Sequence, residues 1–204
     1  MYQRNVERAR AKIPFGIAQK RTTRSFYQQR TNQMEQIMKQ IETVKSNVGM
    51  SWKMVTIKSV SKQIRGVSYT PKDVSDVPLD KYIRLLRANN ITETGIDLTD
   101  TVFVNKKCIS ETQKLKVGDI LIAASSGSIK IVGKAILIED EINSSFGAFC
   151  KLNRPTDQID YRYLSYYFRS SDYRQKISHL AAGANINNLR NEDLDNLEIP
   201  LPPL

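Results

Sequence analysis

Residues 180–204 constrain the fold of this chain most, because each part of LAAGANINNLRNEDLDNLEIPLPPL has a separate structural task. Gly183 is predicted to end a helix with a positive φ, and Asn191 to cap a short helix that carries Leu194 and Leu197. The prolines that follow lack amide donors and fix φ, so IPLPPL predicts a short strand and a stiff exit. The segment therefore predicts the closing edge of a globular domain.

Short β-rich runs separated by polar or glycine-bearing turns occupy residues 52–152. The runs are MVTIKSV, KYIRLL, TVFV, DILIAAS, IKIVGKAILI and FGAFCKL. They predict a twisted sheet that is mixed or mostly antiparallel. Two helices are predicted after it, over residues 159–168 and 173–180, with Ser170, Ser171 and Asp172 as candidate caps of the second. The predicted fold class is α/β (α+β), a mixed, largely antiparallel β-rich domain with C-terminal helices.

The net charge of +10 is concentrated in the first quarter of the chain. Residues 1–50 hold ten Lys and Arg against three Asp and Glu, which is +7. Such a segment attracts phosphates and gives a salt-sensitive affinity that does not depend on sequence. A solvated basic tail is the alternative, and an anionic membrane surface is a less favoured one.

Apolar side chains recur at three- and four-residue steps over residues 26–48, which predicts a helix with one apolar stripe. The stripe comprises Tyr27, Met34, Ile37, Met38, Ile41, Val44 and Val48. Positions 27, 34, 41 and 48 step by seven, as in a coiled-coil seam, although Arg30 interrupts it. Docking against the chain's own body is the alternative. Gly49 then marks a predicted boundary between residues 1–49 and a globular domain over 50–204.

Several classes of protein lack support in the sequence. No apolar run reaches the roughly 18–20 residues that span a bilayer, and no secretory signal is recognisable, so a cytoplasmic location is predicted. Cys108, Cys150 and His179 are too dispersed to predict a disulfide framework or a metal site. The chain has no NPPY-like tetrapeptide, which a methyltransferase acting on an exocyclic amine is expected to carry. It also has no acidic residue two positions before a lysine, as a metal-dependent nuclease of the PD-(D/E)xK type requires. No catalytic residue is predicted.

Five polar segments carry side chains suited to reading DNA, which requires planar donors and acceptors at base edges and support at phosphates. Guanidinium groups suit guanine, amides suit adenine, and small serine side chains allow close approach to a phosphate. An ordinary surface loop is the alternative for each segment. The candidates are Arg65, Ser68, Tyr69 and Lys72; Arg84, Arg87, Asn89 and Asn90; Ser125, Ser126, Ser128 and Lys130; Asn143 and Ser144; and Asn185, Asn187 and Asn188.

Four stretches resemble, in order, the target-recognition domain in the DNA-specificity subunits of type I restriction-modification systems. They are Ser51-Trp52 with VTIKSVSKQIRG, then DKYIRLLRANNI, then LKVGDILIAASSGSIKIVGKA with Gly118-Asp119 before a strand, and finally the helix and IPLPPL after Gly183. The resemblance covers about residues 50–204. It implies a non-catalytic domain that recognises one half of a bipartite target in double-stranded DNA.

The resemblance also implies partners. Methyltransferase subunits would bring S-adenosylmethionine, and a restriction subunit would use ATP with Mg, so no cofactor is expected in this chain. Long helices in the family pair antiparallel and separate two recognition domains, and residues 27–47 would form part of such a spacer. With one recognition domain here, a half-subunit or fragment is expected, including one that pairs with a second copy. The alternatives are a complete small DNA-acting enzyme, the specificity part of a single-chain DNA methyltransferase, and a decoy partner of an intact specificity subunit.

Overall fold

The computed structural model describes residues 52–93, 95–128, 130–183 and 188–202, and seven further residues between 29 and 43. These seven are helical and exposed: Gln29, Asn32, Gln33, Gln36, Lys39, Gln40 and Thr43. The apolar stripe lies outside the described residues, at Tyr27, Met34, Ile37, Met38, Ile41, Val44 and Val48. The spacer helix over residues 26–48 therefore stays a prediction.

The described part of the globular domain alternates short strands with four helices. In chain order the first elements are β1 (Lys53–Thr56), α1 (Ile57–Val60), β2 (Ser61–Arg65), β3 (Val74–Ser75), β4 (Tyr82–Leu86), β5 (Ile91–Thr92), β6 (Gly95–Ile96) and β7 (Val102–Asn105). The remaining elements are β8 (Ile120–Ala123), β9 (Ala135–Leu137), β10 (Ser144–Phe146), β11 (Cys150–Pro155), α2 (Tyr161–Tyr167), α3 (Ser171–Gly183), α4 (Asn191–Asp195) and β12 (Glu198–Leu201).

Two four-stranded sheets form the body of the domain. One has the order β2-β11-β8-β9 and is antiparallel throughout. The other has the order β10-β4-β7-β3 and is mixed, because β10 runs parallel to β4. Two-stranded pairs, β1-β12 and β5-β6, are also antiparallel. The predicted α+β class, with a mixed and largely antiparallel sheet structure, is confirmed.

Strand β8 is buried on both faces. Successive side chains of a strand point to opposite sides, so β8 contributes to two hydrophobic clusters. Ile120 and Ile122 face a hydrophobic cluster that the helices complete, whereas Leu121 and Ala123 face a second cluster. The first cluster includes Leu164, Phe168, Tyr173 and Ile177, and the second includes Leu86, Phe146 and Leu152. The core thus lies on both sides of β8.

The entry and exit strands of the domain pair with each other. Lys53 of β1 lies opposite Leu201 of β12, and the hydroxyl of Tyr163 donates to the carbonyl of Pro200 at 2.6 Å. Pro200 is tolerated because β12 has one strand neighbour and needs no second row of amide donors. The predicted closing strand is therefore present. The short helix before it is present too, but Asn191 is its first residue rather than its cap.

Three of the predicted strand runs are interrupted. MVTIKSV turns into α1 after Thr56, which buries Ile57 and Val60 on one side. IKIVGKAILI forms a strand only over Ala135–Leu137, since Gly133 has φ 78° in the turn before it. FGAFCKL divides between β10 and β11. Both predicted helices are confirmed, and the hydroxyl of Ser170 accepts a bond from the amide of Tyr173 at 3.2 Å, as its predicted capping role requires.

Candidate nucleic-acid interface

Several strands of both sheets end at the same side of the domain. Strands β4 and β10 are parallel and end together, where the amide of Gly147 donates to the carbonyl of Leu86 at 2.8 Å. Strand β2 ends where β11 begins, because Arg65 lies opposite Lys151. The amide of Val67 donates to the carbonyl of Phe146 at 2.8 Å, which joins the end of β2 to the end of β10. The loops that follow these strands are therefore neighbours in space.

The end of β8 completes this side. The amide of Ser125 donates to the carbonyl of Phe149 at 3.0 Å, and Ser125 forms an isolated bridge with Asn188. The amide of Leu189 then donates to the carbonyl of Ala124 at 2.7 Å. We call the surface-accessible side chains gathered here the loop edge. The loop edge consists of Arg65, Ser125, Phe149, Asn188 and Arg190, of which Ser125 is half-buried and the others are exposed.

The turn between β10 and β11 is held rigidly against the end of β2. The amide of Cys150 donates to the carbonyl of Gly147 at 2.9 Å, which closes the turn. On its outer side the turn lies directly against Gly66, where a Cβ atom would overlap the carbonyl of Gly147 and approach the amide nitrogen of Ala148 to 2.8 Å. Backbone therefore packs on backbone, and the turn has little room to move.

The cations around the loop edge differ in their surroundings. The side chain of Lys151 turns inward, where its Nζ contacts Oδ1 of Asn191 and lies 3.4 Å from Oε1 of Gln63. Burial and the neighbouring charge of Arg65 lower the pKa of Lys151, and the charges of two aspartates in α4 partly oppose this shift. Lys151 thus ties α4 to the sheet. Arg65 and Arg190 are the exposed cations of the loop edge.

The structure divides the first group of predicted DNA contacts. Arg65 belongs to the loop edge, and Ser68 and Tyr69 are exposed in the segment that follows Val67. Lys72 is exposed in a 3-10 turn that leads into β3, and the next residue, Asp73, forms an ion pair of 3.1 Å with Lys107. Lys72 therefore belongs to the segment that leads into the second sheet, outside the residues of the loop edge.

The second predicted group serves mainly to hold its own loop. Arg87 pairs with Asp100 at 2.8 Å, and the amide of Asn89 donates to the same carboxylate at 2.8 Å. Asn90 is 1% exposed, and its side-chain amide donates to two backbone carbonyls. The prediction that Asn90 contacts a base is therefore corrected: its role is structural. Arg84 is half-buried within β4, with its guanidinium 5.7 Å from the ring of Phe103.

The remaining candidates are mixed. Ser126 and Ser128 are half-buried beside the loop edge, and Lys130 is exposed. Ser144 is 2% exposed and lies at the start of β10, at the end opposite the loop edge. The prediction that Ser144 contacts DNA is therefore corrected, because its side chain is buried. The adjacent Asn143 is exposed. Asn188 lies at the loop edge. Asn185 and Asn187 lie outside the described residues.

Two residues of the loop edge were missing from the predicted set. Phe149 was hidden in FGAFCKL because this run reads as one strand, although the glycine inside it is typical of a bend or a close backbone approach. Arg190 lies two residues after Asn188 and directly before Asn191, the residue predicted to cap the short helix. Both are positioned by pairings between segments far apart in sequence, which no local pattern reveals.

The described part of the chain offers no evident metal site. Within it, no three His, Cys, Asp or Glu side chains gather in a group that could hold a metal ion. Cys108 and Cys150 are unpaired thiols, and burial raises the pKa of Cys150 to about 12.

No helix among the described residues has the length and apolar character needed to cross a bilayer.

The fold is similar to that of solved specificity subunits. The structure superimposes on the HsdS subunit from Thermoanaerobacter tengcongensis with a TM-score of 0.57 and 19% identity, covering 91% of this chain and 43% of that one. The S subunit of a type I restriction-modification system from M. genitalium gives a TM-score of 0.54 and 13% identity, covering 88% of this chain and 42% of that one. These similarities concern the fold alone.

Sequence comparison identifies the family. Residues 50–204 match the family described as the type I restriction modification DNA specificity domain, and the chain belongs to this family. It is 43% identical over 153 residues to the type I restriction enzyme EcoKI specificity subunit of Escherichia coli (strain K12), covering 75% of this chain and 33% of that protein. The StySPI specificity subunit of Salmonella potsdam is 42% identical with the same coverage. The chain therefore spans about a third of the length of these relatives.

Proposed function

We propose that this domain recognises a short DNA sequence as one half of a bipartite target of a type I restriction-modification system. The single observation that carries the proposal is the loop edge, where two exposed arginines lie on the same side of the domain as uncharged polar groups, in a chain of the specificity family. Cations fix a protein on the phosphates, whereas amide and hydroxyl groups can distinguish base edges. Arg65 and Arg190 supply the first kind of group, and Ser125 and Asn188 supply the second.

In this function the chain binds DNA, and its partners carry out catalysis. The titratable residues of the loop edge are two arginines, which are poor general acids and bases because they stay protonated. Methyltransferase subunits would supply S-adenosylmethionine, and a restriction subunit would supply ATP and Mg chemistry, in the cytoplasm. We further propose that residues 1–49 form a unit separate from residues 50–204. The helix over residues 26–48 in this first unit would be the spacer that pairs with a second copy or with another specificity subunit.

The expected result of neutralising the exposed cations is weaker DNA binding with a smaller salt dependence. Arg65→Gln and Arg190→Gln should each lower the affinity for duplex DNA about three- to tenfold at 0.1 M salt, and each should reduce the slope of log K against log salt by about 1 if a phosphate contact is lost. Fluorescence anisotropy of the full chain, with a duplex selected from a random library, measures both quantities.

Lys58→Gln is the matched control, because Lys58 is exposed in α1 at the opposite end of β2 from Arg65. Its affinity and salt slope should equal those of the unmodified chain. Arginine variants that behave like Lys58→Gln would remove the loop edge from the DNA-binding surface.

If the full chain assembled with its methyltransferase subunits bound selected and random duplexes equally, target recognition itself would be refuted. DNA methylation by the purified chain alone would refute the assignment of catalysis to its partners.

A further inference from the structure

We propose that Phe149 is a specificity-determining residue whose ring contacts bases of the recognised half-site. This inference rests on the proposed function and adds an apolar contact to it. Phe149 is 67% exposed and is the most exposed large hydrophobic residue within the described ranges. In contrast, Phe146, three residues earlier at the end of β10, is fully buried in the core. The two rings of this short segment therefore have opposite environments.

A single exposed apolar side chain is common on protein surfaces and needs no special explanation. The backbone that carries Phe149 is what distinguishes it. Its carbonyl accepts bonds from the amides of both Ala124 and Ser125, at 2.9 and 3.0 Å. The turn is closed between Gly147 and Cys150, and Gly66 supports it from the side. An exposed ring on a mobile loop would lose freedom on binding, but a ring on this turn has little backbone freedom to lose.

The surroundings of the ring suit the interior of a DNA groove. Ser125 and Asn188 lie on one side of the turn, where they bridge each other. Arg65 lies on the other side, opposite Lys151 in the strand that follows Phe149. A phenyl ring makes no hydrogen bond to a phosphate, whereas it packs well against a thymine methyl group or an unstacked base. With the arginines on phosphates, Phe149 would project toward the bases.

Phe149→Ala is expected to change base preference without changing the salt dependence of binding. The loss should be about tenfold in affinity for the selected duplex and confined to one base pair or two adjacent ones, because an apolar contact releases no counterions. Phe149→Leu should retain part of the preference. Selection from a random duplex library followed by anisotropy at several salt concentrations measures the base preference and the slope. The thermal midpoint of Phe149→Ala should be unchanged, since the ring packs little against the core.

Val117→Ala is the matched control. Val117 is an exposed apolar residue, 47% accessible, just before the start of β8 and thus at the opposite end of that strand. Its base preference should match that of the unmodified chain. An unchanged preference in Phe149→Ala, or a loss shared equally by all sequences, would overturn this inference while leaving target recognition intact. The inference would also fail if Phe149→Ala kept its base preference but lost methyltransferase subunits on gel filtration. Equal binding of all duplexes by the unmodified assembly would instead refute the proposed function.

Discussion

Replacing Gly66 with alanine is expected to lower the free energy of unfolding by about 3 kcal/mol, and to weaken DNA binding with it. The added Cβ atom would overlap the carbonyl group of Gly147 and lie 2.8 Å from the amide nitrogen of Ala148, a separation that real Cβ atoms essentially never show. All three atoms are backbone, so a change of rotamer cannot relieve the overlap. Either β2 must separate from the turn or the turn must move.

Moving the turn would also disturb the hydrogen bonds that position Phe149 at the end of β8. Urea denaturation followed by circular dichroism measures the change in stability, and anisotropy of the remaining folded protein measures the change in affinity. Gly127→Ala is the matched control for stability, because a Cβ atom at Gly127 would meet nothing within 4 Å. It should alter the free energy of unfolding by less than about 0.5 kcal/mol. A Gly66→Ala protein as stable as Gly127→Ala would show that the turn is not packed as described.

The parts of the fold that could be predicted are those determined by local pattern. The ILIA of DILIAA forms β8 because a short apolar run suits a strand buried on both faces. The helices could be predicted from their periodicity, and the exit strand from its prolines. Local pattern failed within long, mostly apolar runs such as IKIVGKAILI, because the apolar residues of a buried turn and those of a strand are the same residue types. There the glycine at position 133, with φ 78°, decides where the strand begins.

The candidate site was harder to predict than the fold, because polarity in a sequence does not reveal burial. Asn90 and Asn188 are the same residue type in similar polar segments, yet one is buried with its amide bonded to carbonyls and the other is exposed at the loop edge. What separates them is tertiary pairing. Ser125 and Asn188 meet only through the sheet, and no spacing rule connects positions so far apart.

The Gly118-Asp119 pair, part of the family resemblance, has a structural role at the other end of the domain. Gly118 adopts φ 91°, a conformation that favours glycine. Asp119 is 1% exposed and accepts bonds from Nε and Nη2 of Arg154, both at 2.7 Å, and from the amide of Lys116 at 2.8 Å. The pair joins the start of β8 to the end of β11, the two central strands of the first sheet. Hydrogen bonding to Asp119 raises the pKa of Arg154 above its ordinary value.

Asp119→Asn is therefore expected to lower the free energy of unfolding by about 3 kcal/mol, since it leaves the Arg154 guanidinium, whose side chain is only 21% exposed, facing an uncharged amide. For a chain of this length, that loss corresponds to roughly 6–12 °C in Tm, measured by differential scanning calorimetry. Asp172→Asn is the matched control, because Asp172 pairs with Lys176 on the exposed surface of α3 and should contribute less than about 0.5 kcal/mol.

The double variant Asp119→Asn with Arg154→Met should lose less stability than the sum of its two single variants, because the two residues interact directly. Asp119 lies at the end of β8 opposite the loop edge, so the folded fraction of Asp119→Asn should keep the base preference of the unmodified chain. A Tm loss no larger than that of Asp172→Asn would contradict the structural role of the buried pair. A changed base preference would instead mean that the two ends of β8 are coupled, and that the strand does more than support the loop edge.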